Sequence, residues 1–129
     1  MILDIINILG RRDVMGLGTW LARKGNVGGT ARSVAKGWKA IMQKNPHFSH
    51  KEIAEKYVNF RYEVTNEPGL AKQVLEKLKN EKSKASPLNL AWTIFSVENT
   101  DDSGTLFEHI IEWKQIMKEE IEKLGVKAD

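Results

Sequence analysis

Ser86 to Val97, SPLNLAWTIFSV, is the stretch in which helix and strand compete most closely. Ser86 and Pro87 resemble a helix cap followed by a first helical residue, because proline lacks the N–H that a first turn leaves unpaired anyway. Trp92, Thr93, Ile94, Phe95 and Val97 are residues that strands also favour. Apolar side chains would face every side of a helix here, as in a buried one, and no second strand-like run exists for a strand to pair with. The stretch therefore reads as a buried helix, and the chain as all-α.

Toward the C-terminus, Asn99 to Gly104 reads as a turn, and Thr105 with Glu108 as a capping box. Leu106, Ile110, Trp113, Met117, Ile121 and Leu124 then recur at close to 3.5-residue spacing, the longest periodic signal in the chain, until Gly125 supplies a stop. Toward the N-terminus, residues 81–86 form a polar linker. Before it, Leu70, Val74, Leu75 and Leu78 repeat with helical spacing from Pro68 to Asn80. Ser49 and Glu52 make another capping box. The helix it opens has Ile53, Tyr57, Phe60 and Val64 as its expected core face, Ala54 and Val58 beside them, and Glu52–Lys56 as an outer ion pair.

The first third of the chain is less regular. Thr30 can N-cap a helix running to about Lys44, with Ala31, Val34, Ala35, Trp38, Ile41 and Met42 as its apolar stripe and Asn45–Pro46 as its end. Gly10, Gly16, Gly18, Gly25, Gly28 and Gly29 precede it. Each glycine disfavours a helix interior by about 1 kcal/mol relative to alanine, so helix before Thr30 is expected to be broken. Val14, Leu17 and Leu21 allow two turns there, and Ile2, Ile5, Ile6 and Leu9 a short first helix. The expected fold is a bundle of four to five amphipathic helices with a glycine-broken basic N-terminal helical segment. Residues 1–44 are that segment, within the same domain or as an arm, and residues 45–129 are the body.

At 129 residues and 41% apolar content the chain has room for one hydrophobic core. It has no cysteine, which excludes disulfides, thiolate metal sites and cysteine nucleophiles. No apolar run approaches the length of a membrane span. Asp4 interrupts the apolar start, and Arg11 and Arg12 follow it rather than precede it. A signal peptide is therefore not expected, and Met1 is taken as the mature start. The expected location is the cytoplasm, with a peripheral membrane position open to the basic segment.

The net charge of +3 hides an asymmetry. Residues 1–44 carry eight basic against two acidic side chains, a net +6, and the other 85 residues twelve against fifteen, a net −3. An anionic partner for the first part, or attraction between the two parts, would each account for this. On the helix ending at Lys44, Arg32, Lys36, Lys39 and Gln43 form a stripe away from the apolar one. That pattern is shared by ordinary surface helices and by helices that grip anions.

The loop from Lys24 to Thr30 could hold an anion at a helix start with Arg23, Lys24 and Arg32 near, but it lacks the Walker A lysine and a leading strand. Asn99, Asp101, Ser103 and Gly104 match the early positions of a calcium loop, yet its twelfth position is Ile110 where a carboxylate is required. His47 and His50 flank a cap, and His109 lies between Glu108 and Glu112 in the order opposite to a ferritin-type motif, so no metal or other cofactor is expected. Trp38, Trp92 and Trp113 fit apolar stripes. Trp20, among glycines and basic residues, suits either core packing or an anchoring role.

The function expected from these residues is that of a non-enzymatic helical interaction module. It would dock through Arg11, Arg12, Trp20, Arg23, Lys24, Arg32, Lys36 and Lys39 on a partner protein, on another copy of itself, or on an anionic membrane surface. Nucleic-acid binding by the same segment is one alternative. A small helical enzyme or metal protein using the His109 region is the other.

Overall fold

The computed structural model describes residues 11–80, 85–99 and 110–129, with side chains from residue 25 onward. Five helices make up the described chain: α1 (Arg11–Lys44), α2 (His50–Val64), α3 (Pro68–Asn80), α4 (Pro87–Glu98) and α5 (Ile110–Lys123). No strand occurs among the described residues, and the helices pack on one another as a bundle. No described helix is long and apolar enough to cross a membrane.

The contested stretch is helical. The Ser86 side chain accepts from the Asn89 amide, Pro87 takes the first helical position, and Leu90, Ala91, Thr93, Ile94, Phe95 and Val97 are buried. Ser49 caps α2 through the expected capping box, its hydroxyl accepting from the Glu52 amide while the Glu52 carboxylate accepts from the Ser49 amide. Asn45 ends α1, both its amide groups donating to the Ile41 carbonyl. Asn66 and Gly125, at φ 54° and 80°, follow α2 and α5 in the left-handed conformation that closes helix C-termini. Beyond Gly125 the Leu88 amide donates to the Ala128 carbonyl, which fastens the C-terminal tail to the start of α4.

α1 departs from expectation. It runs unbroken for 34 residues through every glycine from Gly16 to Gly37, and Thr30 lies in its interior rather than at a cap. The expected glycine break does not exist. At 1.5 Å per residue α1 is about 51 Å long, while the other helices measure about 18–23 Å. Packing rather than propensity sustains it. Val27, Ala31, Val34, Ala35 and Trp38 are buried in the same core as residues of all four other helices, and α1 packs against α5, α4 and α2.

Two further expectations fail on helix faces. Ile53 and Tyr57 are buried as expected, with Ala54 and Val58 beside them, but Phe60 is 65% and Val64 71% exposed, and Tyr62 turns inward in their place. Met42 lies outside the core as well, with Ile41 partly buried. The Glu52–Lys56 pair is not formed: Glu52 is engaged in the cap, and the Lys56 ammonium lies 5.5 Å over the Phe48 ring. Phe95 meets Trp113 edge to face at 5.4 Å, and Met117 and Ile121 are buried in the same core. The expected N-terminal helix of Ile2 to Leu9, the turn from residue 100 to Gly104 and the Thr105–Glu108 capping box lie outside the described residues.

Candidate functional site

The C-terminal half of α1 and the middle of α2 meet at Gly37. A Cβ there would collide with the Tyr57 ring, so this glycine permits the close approach of the two helices. On one side of the contact opens a groove of about 280 Å³ lined by Gly37, Ala40, Ile41, Lys44, Asn45, Lys56, Tyr57 and Phe60. Its floor is small and apolar. Phe60 forms one wall, and Lys44 and Lys56 lie at its rim. Neither lysine has a carboxylate within ion-pair distance among the described residues.

On the other side of Gly37 the helices are joined by polar contacts. The Ser33 and Tyr57 hydroxyls lie 2.8 Å apart, and the Arg61 guanidinium donates to Tyr57 at 3.0 Å. Arg61 also donates to both Glu98 oxygens at 2.9 and 3.0 Å, and the Tyr62 hydroxyl donates to Glu98 at 3.3 Å. Burial disfavours the Arg61 cation, but its bonds to Glu98 and the Tyr57 oxygen outweigh that and raise its pKa above the ordinary value. Burial, and then the Glu98 charge, raise the Tyr62 phenol. Both therefore keep their protons throughout the physiological range. Beyond them lies an open depression of about 520 Å³ lined by Gly25, Asn26, Gly29, Thr30, Ser33, Arg61, Glu98 and Asn99. Its one carboxylate among the described residues, that of Glu98, is bonded to Arg61. The cluster ties α2 to α1 and α4.

Of the residues expected to bind an anion, Arg32, Lys36 and Lys39 have described side chains. The Arg32 guanidinium donates to Glu120 of α5 at 3.1 Å, so a carboxylate from a later helix offsets its charge. The bond from Arg32 holds the Glu120 carboxyl below its ordinary pKa against the opposing effect of burial, and Lys123 adds to the lowering. The Lys39 ammonium lies over Gly125, at the C-terminal end of α5 where the helix dipole favours a cation. Lys36 is exposed and without an ion pair among the described residues. Arg11, Arg12, Trp20, Arg23 and Lys24 lie on the first half of α1, and their side chains are outside the described residues. So are Asp101, Ser103, Glu108 and His109, on which the calcium and metal alternatives depended. Among the described residues no three histidine or carboxylate groups gather to hold a metal.

Sequence reasoning missed the groove and the Arg61–Glu98 cluster. Arg61 and Glu98 are 37 residues apart, with no local pattern to link them. A signal for the groove did exist: Ala54, Val58 and Tyr62 repeat at i, i+4 and i+8, which turns Phe60 outward. No known protein family, curated protein or solved structure matches the chain.

Proposed function

We propose that this protein is a non-enzymatic helical interaction module whose docking surface is the lysine-rimmed apolar groove between α1 and α2. The observation that carries this reading is a concave, largely apolar lining beside a 65% exposed Phe60, with Lys44 and Lys56, neither of them ion-paired among the described residues, at its edge. A large exposed aromatic beside a pocket is a typical anchor of a protein interface, and rim lysines select carboxylates around the inserted side chain. Concavity favours a protein knob over a flat bilayer. The reading moves the docking residues from the N-terminal basic stripe to Lys44, Lys56 and Phe60. Lys36 remains on the exposed surface nearby along α1. A cytoplasmic location accords with the cysteine-free composition.

Fluorescence anisotropy tests this with two labelled amphipathic peptides that share one leucine anchor, one flanked by glutamates and one by lysines. The acidic peptide is expected to bind with a salt-dependent affinity that Phe60→Glu abolishes and Lys44→Glu with Lys56→Glu weakens at least tenfold. Equal binding of the two peptides, or binding indifferent to Phe60→Glu, would refute the groove. Salt-sensitive retention on duplex DNA or on anionic vesicles, unaffected by Phe60→Glu, would instead support one of the other partners.

A further inference from the structure

The same molecule carries a side chain suited to its own groove. Ile111, in the first turn of α5, is 84% exposed, the most exposed large hydrophobic side chain among the described residues. It lies about 200° around the helix from buried Trp113, so it faces away from the core. Gln115, Glu119 and Glu122 follow it along the same side of α5 at i+4, i+8 and i+11. Glu122 has no ion pair among the described residues, and Glu119 accepts only a 3.3 Å bond from Gln115. Lys118, which shares this side, is paired with Asp129. The result is an apolar knob followed by carboxylates, while the groove is an apolar hollow rimmed by ammonium groups.

One chain cannot bring the two together. Lys39 and Arg32 mark the side of α1 that faces α5, and Gly37 marks the side that faces α2. Gly37 and Lys39 are two residues, hence about 200°, apart around the helix. Knob and groove therefore lie on opposite sides of the bundle.

We infer that the groove's occupant is a second copy of this chain, whose Ile111 seats beside Phe60 while its Glu119 and Glu122 face Lys44 and Lys56. This inference rests on the groove reading above and names its partner. The contact is heterologous: each copy uses its knob on one neighbour and its groove on another, so the association propagates instead of stopping at a dimer. One aliphatic anchor and two rim ion pairs form a small interface of the weak, transient class.

Sedimentation velocity of the full chain over a concentration series provides the test. The mass is expected to rise above the 14.7 kDa of one chain with no plateau at two, and to fall back as salt increases. Phe60→Glu and Ile111→Lys alter exposed side chains, so their circular dichroism is expected to match the unaltered protein. Each alone is expected to be monomeric. Mixed in equal amounts, they restore one contact, from the intact Ile111 of the first to the intact groove of the second, and form a dimer and nothing larger. A monomeric unaltered protein at the highest concentration, self-association of Ile111→Lys alone, or a mixture that stays monomeric would overturn the inference. If the acidic peptide still binds in those cases, the groove stands and only its occupant is wrong; if it does not, both readings fall.

Discussion

A methyl group added at Gly37 would run into the Tyr57 ring, whereas one added at Gly29, two turns earlier on the same helix, meets nothing within 4 Å. The two positions therefore answer one substitution in opposite directions. Gly29→Ala restricts the unfolded chain and improves helix propensity, and is expected to stabilise the protein by about 0.5–1 kcal/mol. Gly37→Ala forces α1 and α2 apart, strains the Tyr57 contacts to Ser33 and Arg61, and is expected to destabilise by about 1–3 kcal/mol. Urea unfolding of both variants beside the unaltered protein measures the difference. A Gly37→Ala protein as stable as its parent would mean that the helices are not pressed together at that point. These glycines also show why α1 was misread: in linear sequence a glycine that admits a neighbouring ring looks the same as one that breaks a helix. The helix-breaking tendency is real, but the burial of Val27, Ala31, Val34, Ala35 and Trp38 exceeds it.

Capping is the feature of the helices most directly written in the sequence, since its donors and acceptors lie within four residues of one another. Ser49 with Glu52, Ser86 with Pro87, Asn45 and Gly125 all act as their residue types require. Faces were harder to read. Ile53 and Tyr57 are buried as expected, but Phe60 and Val64 fit the same helical stripe as well as Tyr62 fits that of Ala54 and Val58, and only the position of neighbouring helices puts Tyr62 inside and the other two outside. The groove stayed hidden for that reason, because Phe60, expected inside, stands exposed beside it. The α2 cap carries its own prediction. The Ser49 amide, and then its hydroxyl, hold the Glu52 carboxyl below its ordinary value of 4.5. A carboxyl depressed by folding contributes stability above its unfolded pKa and loses that contribution as pH falls through its folded one. Glu52→Gln should therefore be less stable than its parent at neutral pH, with the gap closing below 4.5. Ser49→Ala should lose about 1 kcal/mol. Thermal melts followed by circular dichroism across that pH range check both, and a gap that persists unchanged into acid would show that the Glu52 charge is not part of the cap.

In the whole molecule α1 is the helix on which α4 and α5 rest, and this determines what a chain beginning at residue 45 should do. Such a chain lacks Val27, Val34 and Trp38, all almost fully buried, as well as Ala31 and Ala35, and uncovers the sides of α4 and α5 against which α1 packs. Fully burying one large apolar side chain contributes about 1.5–3 kcal/mol, so the three larger ones alone contribute on the order of 5–9 kcal/mol. Domains of this size are stable by only about 5–15 kcal/mol in total. Residues 45–129 by themselves are therefore expected to lose the cooperative thermal transition and the near-ultraviolet dichroism of the packed tryptophans, while retaining part of their helical signal. A sharp melt of the shortened chain would instead make residues 1–44 an appended arm and place the core wholly in the later helices. The same reasoning fixes how the docking surface must be probed. Removing α1 takes away Lys44 and half of the groove together with the core, so binding lost on truncation would report unfolding, whereas Phe60→Glu removes the anchor from a molecule whose core is intact.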